Sequence, residues 1–350
     1  MASLQHSDAQ DDDRFGLYLD ISGDTALVGA PRSDLNASVP DVGAVYAYTR
    51  DPSTGEWSET AKLQPDDLKA GGLFGHDTSI DGDTAVIGAG WHPCEGFEVN
   101  ETEGAEGQAC GAAYVFERDS AGAWTQTAKL QPKELPVAGD GFGLVTAVSG
   151  DTAMVASSLH RDGRGAVYVF ERQSTGEWLA TDKLLHSYGT SAAGRFSEVV
   201  LDGDTAVIVS IGAGDGFGAG IVFVRAGSTW SEQTMLVPAS PTLGQVVISA
   251  ALDGDLVVLG APMLVSPDGP DGVTDGAAFA FHRSCGLWTQ IATMGVADGV
   301  HDGQFGRNVA ASGDTGAIYI SQRSLSLSRE PARASPRAAR ASAADGVAHY

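Results

Sequence analysis

Basic residues, cysteines and long apolar runs are all scarce in this chain, and each scarcity excludes something. Lysine and arginine together number 21 against 45 aspartates and glutamates, a formal net charge of −24. Such a surface repels phosphate backbones, whose partners bind through basic side chains that displace counterions, so nucleic acid is excluded as a partner. No apolar stretch approaches the ~18 residues that span a bilayer, and the opening "MASLQHSDAQDDDRF" has no hydrophobic segment to act as a signal peptide. Membrane insertion is not expected. Three cysteines allow at most one internal disulfide, and Cys94 and Cys110 bracket one loop, so that pair is the candidate; forming it requires an oxidising compartment. The eight histidines are scattered, without H-E-x-x-H spacing, and no G-x-S-x-G turn occurs. No catalytic residue, metal or cofactor is expected.

What the chain does have is glycine, 46 in 350 residues, with 43% hydrophobic residues gathered in short β-branched runs. Brief strands and tight turns follow, so the expected class is all-β. Gly-Asp pairs at Gly23, Gly82, Gly150, Gly203, Gly254 and Gly313 mark six units. "FGHDTSIDGDTAVIGA" from Phe74 shows the pattern: a phenylalanine-glycine, a strand, a Gly-Asp turn and an apolar strand. A variable loop comes next, then an alternating strand such as "GAVYVFER" from Gly165. The last strand places Trp57, Trp124, Trp178, Trp230 or Trp288 six residues before a leucine or methionine. Four short strands per unit make the meander of a propeller blade, and repetition at this period favours a β-propeller over a sandwich. The tryptophans read as packing between blades.

The units run about 14–65, 73–132, 141–186, 195–237, 243–294 and 304–320, the last one partial. Its "GAIYI", Gly316 to Ile320, looks like a third strand with the second cut out. Residues 1–13 read as a disordered acidic N-terminus and 321–350 as a low-complexity Ser/Ala/Arg tail. Five and a half blades leave three readings open: a fragment, a mis-spliced chain or a smaller divergent propeller.

The linked motifs, phenylalanine-glycine, "GDTALVGAP" from Gly23, "GAVYVFER" from Gly165 and the trailing tryptophan, resemble the FG-GAP repeat family, best known from integrin α-chain propellers. The resemblance implies a propeller, commonly seven-bladed, serving extracellular or cell-surface recognition and adhesion. Integrin-type calcium loops have the form D-x-D-x-D-G-x-x-D; here the connection is only "DGDT" or "SGDT". Calcium takes about six to eight oxygens, so Asp81-Gly82-Asp83 reads as a turn and not as an ion site.

Recognition is then expected in the variable loops between second and third strands, on the face that binds ligand in the integrin-type family. The residues singled out for a protein or glycan ligand are Asp34, Asp41, Trp91, His92, Glu95, Arg161, Arg164, Asp215, Phe217, Asp268, Asp271 and Asp275. Asn36 and Asn100 head glycosylation sequons. The leading expectation is a non-catalytic recognition module, not an enzyme. The alternative is a structural or targeting segment of a larger cell-surface or secreted protein, possibly carrying an enzyme domain elsewhere. An enzyme working in the propeller channel needs convergent acids or a metal, which no motif supplies. Ligand identity and oligomeric state are not legible.

Overall fold

A computed structural model describes residues 4–36, 38–67, 69–94, 109–132, 137–160, 165–187, 195–239, 246–262, 276–295, 305–313, 315–320 and 323–328. The chain divides into two compact units, Met1–Leu185 and His186–Tyr350. Unit 1 holds three blades. The first comprises β1 (Leu19–Ser22), β2 (Thr25–Ala30), β3 (Ala44–Arg50) and β4 (Trp57–Leu63). The second comprises β5 (Asp77–Asp81), β6 (Thr84–Ala89), β7 (Ala112–Arg118) and β8 (Trp124–Leu130). The third comprises β9 (Phe142–Ser149), β10 (Thr152–Ser157), β11 (Ala166–Arg172) and β12 (Trp178–Leu184).

Unit 2 continues with β13 (Phe196–Asp202), β14 (Thr205–Ser210), β15 (Ala219–Ala226) and β16 (Thr229–Leu236). A fifth blade follows with β17 (Ser249–Asp253), β18 (Leu256–Ala261), β19 (Ala277–Ser284) and β20 (Leu287–Gly295). Then come β21 (Asn308–Ser312), β22 (Thr315–Ile320) and β23 (Arg323–Ser328). Every sheet is antiparallel with its strands in chain order, so the protein is an all-β array of propeller blades, five of them four-stranded. Among the described residues no helix is long and apolar enough to cross a membrane.

Two sequence readings are corrected here. The segment "GAIYI" is part of β22, which pairs with β21 across the Ser312–Thr315 turn and is therefore a second strand; β23 then extends the sheet into the tail. The acidic N-terminus, read as disordered, is anchored from Leu4 onward. Leu4 packs on the Tyr46–Tyr48 face of β3, Tyr48 donates to the Gln5 carbonyl at 2.9 Å, and His6 is buried between Asp8 and Asp13. An apolar anchor and a set of buried bonds outweigh the local charge.

The Gly-Asp pair does more than turn the chain. The six glycines have φ between +53° and +59°, whereas the aspartates after the first five keep negative φ, the pattern of a II′ hairpin. The aspartate after the glycine meets the arginine that ends the third strand. Arg118 meets Asp83 at 2.6 Å, and Arg283 meets Asp255 at 2.6 Å. That guanidinium also lies over the tryptophan opposite it, 5.4 Å from Trp124 and 5.1 Å from Trp288. It reaches the preceding blade as well, where Arg118 donates to Thr25 Oγ1 at 2.6 Å and Arg283 to Thr205 Oγ1 at 2.9 Å. Exposed ion pairs and cation–π contacts contribute roughly 0.5–1 kcal/mol each, so the recurring Asp–Arg–Trp set matters by repetition.

The residue before the glycine ties consecutive blades. Asp81 accepts from Gly150 N at 2.7 Å, Asp202 from Gly254 N at 2.7 Å, and Asp253 from Gly313 N at 2.6 Å. Where serine replaces aspartate the tie survives, since Ser22 Oγ accepts from Gly82 N at 3.0 Å. The apolar core lies between blades: Leu27, Val45 and Leu63 of the first blade meet Phe74, Ile87, Tyr114 and Phe116 of the second. Backbones approach so closely that a Cβ on Gly111 falls 1.9 Å from the Phe142 carbonyl oxygen, which explains why glycine opens the third strand.

Candidate functional site

The first strands of consecutive blades lie side by side in unit 1, so their side chains meet across residues far apart in sequence. Tyr18, just before β1, brings its hydroxyl 3.2 Å from His76 Nε2, with the two rings 4.6 Å apart. Asp20 on β1 accepts from Ile80 N at 2.8 Å and from Ile21 N at 2.8 Å. Between those levels sits Thr78, buried to 6% exposure, whose Oγ1 finds no hydrogen-bond partner. On the other side of β5, Asp77 accepts from Thr146 N at 2.5 Å and Thr146 Oγ1 at 3.1 Å, which ties the second blade to the third.

Electrostatics make this edge unusual. Burial pushes the Asp20 carboxyl up to about 6 against its backbone bonds, and Asp81 adds to the rise. Burial pushes Asp77 further, to about 7, with Asp20 contributing. His76 moves the other way: burial lowers its pKa, partly opposed by a backbone contact from Leu144, so the imidazole is neutral at pH 7. A neutral imidazole, a phenol, a free hydroxyl and a carboxyl that titrates near neutrality make an acid–base set. None of these four was singled out from the sequence. For two of them, Tyr18 and His76, the signal is an anomaly in the repeat: "FGLY" and "FGHD" carry these polar residues where the third blade has Val145 and Leu144.

The residues named from the sequence fall elsewhere. Asp34 and Asp41 are brought together in the loop between β2 and β3, where Asp34 Oδ1 accepts from Asp41 N at 2.8 Å. Asn36 is exposed at the tip of that loop. Trp91 is half-buried, and Phe217 closes the short 3₁₀ turn Gly214–Gly216, to which Asp215 belongs. Glu95, Asn100, Arg161, Arg164, Asp268, Asp271 and Asp275 lie outside the described residues.

His92 is the one member of this group that is built into a cluster. It is buried beside Tyr114, and Asp67 accepts from Tyr114 Oη at 2.8 Å and also pairs with Lys129. Burial lowers the His92 pKa, as does Lys129; Asp67 is held low by Lys129 and Tyr114 although burial opposes it. The same cluster recurs in the first blade as His6, Asp8, Tyr46 and Lys62, and in a variant form in the third, where Asp140 holds His160, which lies beside Tyr168 and Lys183. Threefold repetition marks it as part of the frame. Its cross-strand Tyr–Lys pair becomes Ile221–Met235 and Phe279–Thr293 in unit 2.

Cys94 and Cys110 are bridged, with Cα atoms 4.8 Å apart. The bridge closes the base of the loop that docks the third blade: Ala109 O accepts from Gly139 N at 2.8 Å and Cys110 O from Phe142 N at 3.3 Å. Reduction is therefore expected to destabilise unit 1 by about 3 kcal/mol, a fall of roughly 6–12 °C in its unfolding midpoint. Calorimetry with and without reductant measures this, and an unchanged midpoint rules out a load on the bridge.

Comparison with known proteins first gives the class. The chain is similar in fold to solved propellers. One is the periplasmic gluconolactonase of Pseudomonas aeruginosa, with TM-score 0.52 and 16% identity over 86% of this chain and 79% of that one. Another is a candidate 6-phosphogluconolactonase from Bacteroides uniformis, with TM-score 0.57 and 11% identity over 92% and 82%. A counterpart from Bacteroides fragilis has TM-score 0.54 and 14% identity over 90% and 80%. No curated protein matches the chain by sequence. More specifically, residues 1–48, 57–116 and 124–170, all within unit 1, match the FG-GAP repeat. The second and third matches start at Trp57 and Trp124, one strand ahead of a sheet, so the sequence repeat is out of phase with the blade.

These neighbours overturn the expectation of a non-catalytic adhesion module. Similar propellers bear the names of lactone-hydrolysing enzymes, so the fold gives no ground for excluding catalysis. At such identity the likeness carries the fold alone, and chemistry has to be argued from side chains.

Proposed function

We infer that the protein is a hydrolase acting on a sugar lactone at the first-strand edge of unit 1. The observation that carries this reading is the Tyr18–His76 pair at 3.2 Å beside the unpartnered Thr78 hydroxyl and the Asp20 carboxyl. Lactone opening needs a base to take a proton from the attacking water and an acid to protonate the departing ring oxygen. His76, neutral at pH 7, serves as the base; Asp20, protonated below about 6, serves as the acid. Tyr18 holds the imidazole at Nε2, the nitrogen that takes the proton, because Nδ1 is buried. Water's proton goes to His76 and its oxygen to the acyl carbon, the carbon–oxygen ring bond breaks, and Asp20 supplies the alcohol proton. Solvent then returns both groups to their starting states.

Strands β1, β5 and β9 carry no lysine or arginine, which favours a neutral lactone such as gluconolactone over its 6-phosphate. The Cys94–Cys110 bridge supports work in an oxidising compartment. Hydrolysis of gluconolactone above the spontaneous rate is expected, falling as pH rises through about 6, where Asp20 loses its proton, and falling again in more acidic solution as His76 takes one up. The variants His76→Gln and Asp20→Asn should each lower the rate by about 100-fold. A rate no different from buffer in folded protein removes the reading.

A further inference from the structure

We propose that the groove between the outer strands of the first two blades is a binding site for a single neutral hexose ring, separate from the lactone site. The groove has a volume of about 340 Å³, at the lower end of the range of small-molecule pockets. Leu63, Phe116 and Trp124 supply its apolar wall, and Lys62, Gln64, Asp66, Thr125 and Gln126 its polar one.

The wall is held in place before any ligand arrives. Trp124 is fixed by the Arg118 guanidinium 5.4 Å from its ring and by the core beneath it. Gln126 accepts from Asp66 N at 3.2 Å, which occupies the acceptor end of its amide and leaves the donor end for a ligand. Gln64 donates to the Gly43 carbonyl at 3.2 Å, which leaves its acceptor oxygen. The exposed Asp66 carboxylate and Thr125 hydroxyl complete a rim of donors and acceptors beside the uncovered edge of Trp124. A pyranose matches that rim chiefly through its hydroxyls, with a C–H edge against the indole.

Charge selects against other ligands of this size. Lys62, the one cation in the lining, is paired with Asp8 at 2.6 Å, so a phosphate or carboxylate finds no free positive charge. The corresponding rim of the third blade carries Leu179 and Ala180 in place of Thr125 and Gln126, so the frame also exists without the polar pair.

That difference supplies the test. The full chain is titrated calorimetrically with glucose, galactose, mannose and N-acetylglucosamine, alongside the double variant Thr125→Leu/Gln126→Ala, which copies the third blade. Saturable binding of at least one sugar, weakened about tenfold by the double variant and by Asp66→Asn, supports the site. No saturable binding by folded protein, or binding that neither variant changes, overturns it. Should the double variant unfold, Asp66→Asn alone decides. The lactone-site variant His76→Gln is expected to bind the sugar unchanged, so failure of one site is distinguishable from failure of the other.

Discussion

Exchange of Gly111 for alanine is expected to lower the stability of unit 1 by about 3 kcal/mol or more, roughly 6–12 °C in the unfolding midpoint. Two penalties coincide there. The backbone has φ +79°, where an L side chain is strained, and the added Cβ falls 1.9 Å from Phe142 O and 2.8 Å from its carbonyl carbon. Neither atom is the end of a flexible side chain, so relief requires the third blade to move away from the second. Gly122 separates the two penalties: its φ is +87°, yet nothing lies within 4 Å of its Cβ position. Gly122→Ala should therefore cost only the strain, about 1 kcal/mol. Denaturant melts of both variants decide the matter, and equal losses refute the close-approach argument.

The same glycines show why the frame was legible in the sequence. A position that must be glycine in blade after blade writes itself as a period, and so does a turn that needs positive φ at one residue. Gly23, Gly82 and Gly150 were readable for that reason, as were the tryptophans that meet the arginine of the neighbouring strand. The second half of the Asp81–Gly82–Asp83 motif was less legible. That Asp81 reaches Gly150 depends on the third dimension, because the partner lies 69 residues away.

The acid–base set was hidden for a related reason. Tyr18 and His76 are 58 residues apart, and each sits in a stretch that reads as a half-buried strand entering a blade. Repetition drew attention to what recurs and to loops that vary in length. A catalytic group placed inside the recurring frame looks like a tolerated slip of the pattern. Its legible trace was the departure of "FGLY" and "FGHD" from the apolar residues at the same place in the third blade, and a departure without a partner carries no chemistry.

Asp77→Asn is expected to stabilise the protein at pH 8 by roughly 1–3 kcal/mol and to leave it nearly unchanged at pH 4. The folded-state pKa of this carboxyl is raised from 3.8 to about 7, so between those values the native state holds a proton that the unfolded state has released. Stability therefore falls as pH rises through that window, and above about 7 the wild type carries the full penalty of a buried charge. Asparagine keeps an acceptor for Thr146 N and removes the charge, at the cost of one donor facing the Thr78 amide. His76 and His92, whose pKa values are lowered, act in the opposite sense and weaken the fold as pH drops below 6.5, but they are common to both proteins and cancel in the difference. Thermal melts of the two proteins from pH 4 to 8 should thus diverge above pH 5. Parallel curves mean that Asp77 is ionised throughout and is an ordinary interblade tie. Retention of lactone hydrolysis by Asp77→Asn, set against its loss in Asp20→Asn, would assign the two buried carboxyls to different tasks: one joins blades, the other moves a proton.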